Sequence, residues 1–121
     1  MIIMIKYTPI DNTVIGSDNK NIFGYVGTDT KTGTDCGKCI AELNGYSMKI
    51  ISLYSDCDNE TVEGFIRSSL NYGANRNAYI AYYLADDGKD VAKLLGFTEN
   101  SDGVLFGEIP ELLAGSCCKE K

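Results

Sequence analysis

The sequence predicts a mixed α/β domain, a central β-sheet with helices packed on it. Tyr46–Ser55 and Asn77–Leu84 are rich in β-branched and aromatic residues without charge-dense gaps, as strands covered on both faces are. Between them, Val62, Phe65, Ile66, Ser69, Leu70 and Gly73 recur at three- and four-residue steps, the signature of one helical face. A strand, a helix and a strand in that order make a right-handed parallel crossover.

In chain order, Ile2–Thr8 reads as a first strand ended by Pro9, and polar Asp11–Asn21 as a loop. Ile22–Thr28 is a second strand and Asp29–Asp35 a turn. Gly37–Leu43 and Tyr46–Ser55 flank Asn44-Gly45, a strong hairpin signal. A two-residue turn there sets Leu43 opposite Tyr46, Ala41 opposite Met48 and Cys39 opposite Ile50, one apolar face. Glu42–Ser47 and Ile40–Lys49 make the other, more mixed face. Asp58 or Asn59 caps the long helix, in which Gly64 and Gly73 point to close backbone approach. Asp86–Phe97 is a short helix with the stripe Val91, Leu94, Leu95, a left-handed end at Gly96 and Phe97 as its hydrophobic contact. Thr98–Gly103 is a turn, Val104–Ile109 a last strand, and Pro110 opens a short helical turn through Leu113. Residues 1–115 form one domain, and 116–121 a polar, cysteine-bearing tail.

A chain of 121 residues is one domain's worth, enough to bury roughly two thirds of its unfolded surface. With 44% hydrophobic and 23% charged residues it is ordinary for a soluble globular protein. A net charge of −6, with no cluster of Lys and Arg, argues against nucleic acid and anionic membrane as partners. No apolar run approaches the ~20 residues of a membrane span. Met1–Ile5 lacks a basic lead and a cleavage site and reads as strand, with Met4 a candidate start. Five cysteines without a leader point to reduced thiols in the cytoplasm. There is no histidine, which removes His-dependent triads, His-ligated zinc and imidazole bases together.

Cys36-x-x-Cys39 and Cys117-Cys118 supply four thiolates, the count of a structural zinc site. If Cys36 and Cys39 are extended, their odd separation sends them to opposite sheet faces; a turn at Gly37 brings them together. Buried or terminal free thiols are the plainer reading. A redox C-x-x-C begins a helix after a strand, and this one is followed by β-type sequence.

The run Val91–Phe97, VAKLLGF, resembles the last helix of the GCN5-related N-acetyltransferases, with its Leu-Gly-Phe signature. The order and spacing back to Asn77–Leu84 and Ser47–Ser55 are similar to that family's central strands, and the resemblance spans roughly Ile22–Ile109. It implies a GNAT-like, acyl-CoA N-acyltransferase fold, with acetyl-CoA as the cofactor to consider. Pantetheine would enter between the two central strands, where Leu53, Tyr54 and Ser55 offer backbone groups and Tyr82 and Tyr83 line a pocket. Against this stands the reading of those tyrosines, two of eight, as core or edge residues.

The chain also departs from the family pattern. The family's Arg/Gln-x-x-Gly-x-Gly/Ala phosphate loop corresponds to Cys57–Val62, which has neither arginine nor glycine and carries Asp58 and Glu60. Acids there suit a bare helix N-terminus and repel a pyrophosphate. The family's tyrosine acid falls on Ala92, its glutamate base has no counterpart in Tyr46–Ser55, although Asp56 follows, and Asp11–Asn21 is too short for its first two helices. The expected protein is therefore a GNAT-like binding or assembly module with a degenerate acetyl-CoA site. An acyltransferase with atypical CoA binding and a zinc-stabilised cysteine module are the alternatives. The shortened flank leaves apolar surface that a homodimer would cover, with a small molecule or another protein as further partner.

Overall fold

A computed structural model describes residues 4–55 and 59–118, the last four by backbone alone. In chain order the elements are β1 (Ile5–Asp11), α1 (Asn12–Ile15), β2 (Ile22–Asp29), β3 (Asp35–Asn44), β4 (Ser47–Ser55), α2 (Asn59–Ala74), β5 (Ile80–Tyr83), α3 (Lys89–Leu95), β6 (Thr98–Glu99), β7 (Leu105–Glu108) and α4 (Ile109–Cys118). The strands form one sheet in the order β1-β2-β3-β4-β5-β7-β6. β4 and β5 pair in parallel and the other neighbours are antiparallel. The architecture is thus the mixed, GNAT-like sheet with helices on it that the sequence predicts.

The helical stripe is the organising contact. Val62, Phe65, Ile66, Ser69, Leu70 and Gly73 are all buried, against Phe23, Cys39, Ala41, Met48, Ile50 and Leu53 of the sheet. Fully burying a Phe, Leu or Ile contributes about 1.5–3 kcal/mol each, so this face dominates the core. The expected glycine role holds in a modified form, because side chains rather than backbone press on the helix. A Cβ on Gly64 would fall on the Tyr7 ring, and one on Gly73 on the Met48 sulfur. α3 and α4 pack against α2 and each other, so the three longer helices share one layer. On the opposite face of the sheet, Val26, Ile40, Ile80, Tyr82 and Phe106 are half-buried, and none of those three helices packs there.

The hairpin keeps its predicted faces, but its turn moves by one residue and the pairing by two. Leu43 pairs with Met48, Ala41 with Ile50, and Cys39 with Leu53, in place of Tyr46, Met48 and Ile50. Gly45, at φ 64°, takes the first central position of the turn and Tyr46 the second, as a type II′ turn requires. Asn44 therefore stays in the strand. Ile51 is a bulge residue that restores alternation, leaving Ile50 and Leu53 both buried.

Boundaries differ elsewhere. Pro9 does not end β1, because an edge strand tolerates a missing N–H. The Asp11–Asn21 loop contains the single turn α1, capped by Asp11, whose carboxylate accepts from the Thr13 hydroxyl at 2.7 Å and the Thr13 and Val14 amides. Thr98 and Glu99 pair with β7 where a turn was expected. The helix opened by Pro110 runs on to Cys118, past the expected stop at Leu113 and into the segment read as a tail.

Candidate functional site

Among the described residues, the sheet opens between β4 and β5. Their parallel pairing runs from Ser47–Ile80 to Ile50–Tyr83, and the Leu84 amide donates to the Ile50 carbonyl at 2.8 Å as the last bond. β5 then stops, while β4 passes its bulge at Ile51 and continues to Ser55 beside β3 alone. This divergence follows from the sequence: the bulge twists β4 away, and Asp86-Asp87-Gly88 turns the chain out of β5 into α3.

The expected site residues do not converge. Leu53 is buried under α2, and Tyr54 is largely exposed. Ser55 is half-buried at the strand end. Tyr82 lies on the opposite sheet face, its ring 6.4 Å from that of Phe106. Tyr83 is buried in the helical layer, edge-on to Phe97, and its hydroxyl donates to the Asp87 carbonyl at 2.6 Å. Burial holds that phenol well above its ordinary pKa, so it stays protonated. A Cβ on Gly88 would meet the Tyr83 hydroxyl and Val62, which shows how tightly the ring closes the space between α2 and the β5–α3 loop.

Beside this closure, where α2 begins, is a basin of about 300 Å³ lined by Asn59 and the run Asp86–Val91. Three carboxylates, Asp86, Asp87 and Asp90, face it together with a single cation, Lys89. Of the positions matching the family's phosphate loop, Cys57 and Asp58 lie outside the described residues, as does Asp56. Asn59 and Glu60 are exposed in the first turn, and Thr61 and Val62 are buried. The Thr61 carbonyl accepts from the Tyr7 hydroxyl at 3.0 Å, which ties β1 to the helix start. Ala92 is wholly buried in α3 and offers no proton.

Cys36 and Cys39 are both buried on β3. Cys36 sits at the bulge that shifts the β2–β3 register after Gly27. Ser69 donates its hydroxyl to the Phe65 carbonyl, which leaves the Cys39 thiol to donate to the Ser69 oxygen at 3.4 Å. Burial pushes the Cys39 thiol up to about 11, so it is no nucleophile at neutral pH. Among the described residues, no group of three or more Cys, Asp or Glu is placed to hold a metal ion. The side chains of Cys117 and Cys118 lie outside the described residues. No helix among the described residues is long and apolar enough to cross a membrane.

A central parallel pair bridged by α2, antiparallel strands on either side and a Leu-Gly-Phe turn after α3 define a GNAT-like fold. The crystal structure of the ribosomal-protein-S18-alanine N-acetyltransferase from Escherichia coli is similar to it, with a TM-score of 0.61 over 81% of this chain and 76% of that one. At 12% identity the likeness is one of fold. No protein-family model matches the chain. No curated protein matches it either.

Proposed function

We propose that this is an acetyltransferase-related module with a degenerate acetyl-CoA site, acting in the cytoplasm by binding or assembly rather than by efficient acetyl transfer. The observation that carries this reading is the acidic basin at the start of α2. Asp86, Asp87 and Asp90 stand where an anion would need donors and positive charge, and Lys89 alone opposes them. Tyr83, locked to Asp87, and Ala92 supply neither an acid nor room. Titration calorimetry with acetyl-CoA, paired with an acetyl-transfer assay on peptide and small amines, tests it. Neither micromolar binding nor transfer is expected, and both together overturn the reading.

A second reading, an acyl-CoA-dependent N-acetyltransferase that binds its cofactor atypically, is favoured by the divergence of β4 from β5, which leaves the far half of β4 with β3 alone. Positioning without a dedicated base is physically sufficient for some acyl transfer.

The homodimer belongs to the same proposal. Its support is the sheet face over which none of the three longer helices packs, with Ile40, Ile80, Tyr82 and Phe106 half-buried on it. Light scattering at micromolar concentration is expected to give twice the chain mass; a monomer mass contradicts it.

A further inference from the structure

The sheet face away from the helices carries a pattern of charge as well as apolar side chains. Strand alternation sends Lys38, Ile40 and Glu42 of β3 to it, since Cys39 and Ala41 between them are wholly buried on the helical side. Pairing then fixes three rows across the central strands. Val26, Lys38 and Tyr54 lie side by side, then Gly24, Ile40 and Ser52, then Ile22, Glu42 and Lys49. The last row runs on through Tyr82 to Phe106. Ile40 thus holds the middle of the face, between two residues with little or no side chain.

Lys38 and Glu42 stand two residues to either side of Ile40 and carry opposite charge. Among the described residues neither has an ion-pair partner in its own chain. Glu42 is half-buried and held in place by Asn19, whose side-chain amide donates to it at 2.8 Å, while Lys38 is exposed. Consider a two-fold axis that passes over Ile40, lies between two facing sheets and runs across the strands. It sets β3 antiparallel on β3 and brings each Lys38 opposite the Glu42 of the second copy. Ile22 then meets Val26, and Lys49 meets the exposed Tyr54 ring, so apolar falls on apolar and cation on carboxylate or ring. An axis along the strands would instead set Lys38 on Lys38 and Glu42 on Glu42. The charges therefore choose between the two arrangements.

We infer that this face seats a second copy of the chain with its strands antiparallel across the contact, held in register by reciprocal Lys38–Glu42 pairs. The inference rests on the homodimer reading and adds the partner's orientation to it. Sheets that pack face to face lie about 10 Å apart, a gap that a lysine and a glutamate reaching toward each other can span. Ile22, Val26, Ile40, Tyr82 and Phe106, all half-buried in the single chain, supply the attraction, and the charges supply the register.

Sedimentation equilibrium of the full chain and of K38E, E42K and K38E/E42K tests it. Each single reversal sets like charges together at both symmetric contacts and is expected to weaken the dimer about tenfold. The double reversal restores both pairs and is expected to return to within about threefold of the native chain. An equimolar mixture of the two single variants is expected to do the same, as a heterodimer. Should E42K lose its fold, K38E and the neutral E42Q serve, with about a tenfold and a severalfold loss. A native dimer unmoved by either reversal, or a double variant as weak as the singles, overturns the inference and leaves the homodimer reading standing. A native chain that stays monomeric at micromolar concentration overturns both.

Discussion

Cys39 shows how one side chain ties chemistry to stability. Its thiol is sealed between β3 and α2, and desolvation of the thiolate is what raises its pKa. A folded value near 11 above the ordinary 9.0 means that its contribution is fully present below about pH 9 and lost as pH rises through about 11. Urea unfolding across that window is predicted to show a steeper loss for the native chain than for C39A; parallel curves would contradict it. Tyr83 is the second such residue. Removing its hydroxyl in Y83F strands the Asp87 carbonyl and is predicted to cost about 1 kcal/mol. Faster amide exchange over the β5–α3 loop than in the native chain is the local check. At this scale the sequence was least informative: it allowed Tyr82 and Tyr83 to share a pocket, whereas strand alternation places them on opposite faces.

Elements were far more legible, because periodicity reports burial directly. Every position of the predicted α2 stripe is buried, and the Leu-Gly-Phe turn closes α3 with Phe97 in the core. What the pattern could not supply was register, since Asn44-Gly45 and Gly45-Tyr46 are both acceptable two-residue turns and both keep the same faces. Asn44, which keeps a strand conformation and pairs with Ser47, decides between them. Replacing Gly45 in G45A is predicted to destabilise by about 1–2 kcal/mol, read by thermal unfolding; an unchanged midpoint would contradict a positive φ at that position. The bulge at Ile51, the pairing of β6 and the length of α4 were likewise invisible. Each depends on a neighbour distant in sequence rather than on local pattern.

Across the whole molecule, a sheet of GNAT-like order carries its helices in one layer, and the loop that would cover the other face is reduced to the turn α1. The same shortening leaves an apolar sheet face, so the proposed self-association and the proposed loss of transfer would share one physical origin. Net charge of −6 works in the same direction, since carboxylates gather at both ends of α3. Comparing acetyl-CoA with acetyl-pantetheine on the native chain and on D86N/D87N/D90N tests the central claim most directly, because it isolates the pyrophosphate. The account predicts that the native chain binds acetyl-CoA no better than the fragment, and that neutralising the three aspartates raises affinity for acetyl-CoA alone. Micromolar acetyl-CoA binding by the native chain, lost when the pyrophosphate is removed, would contradict it.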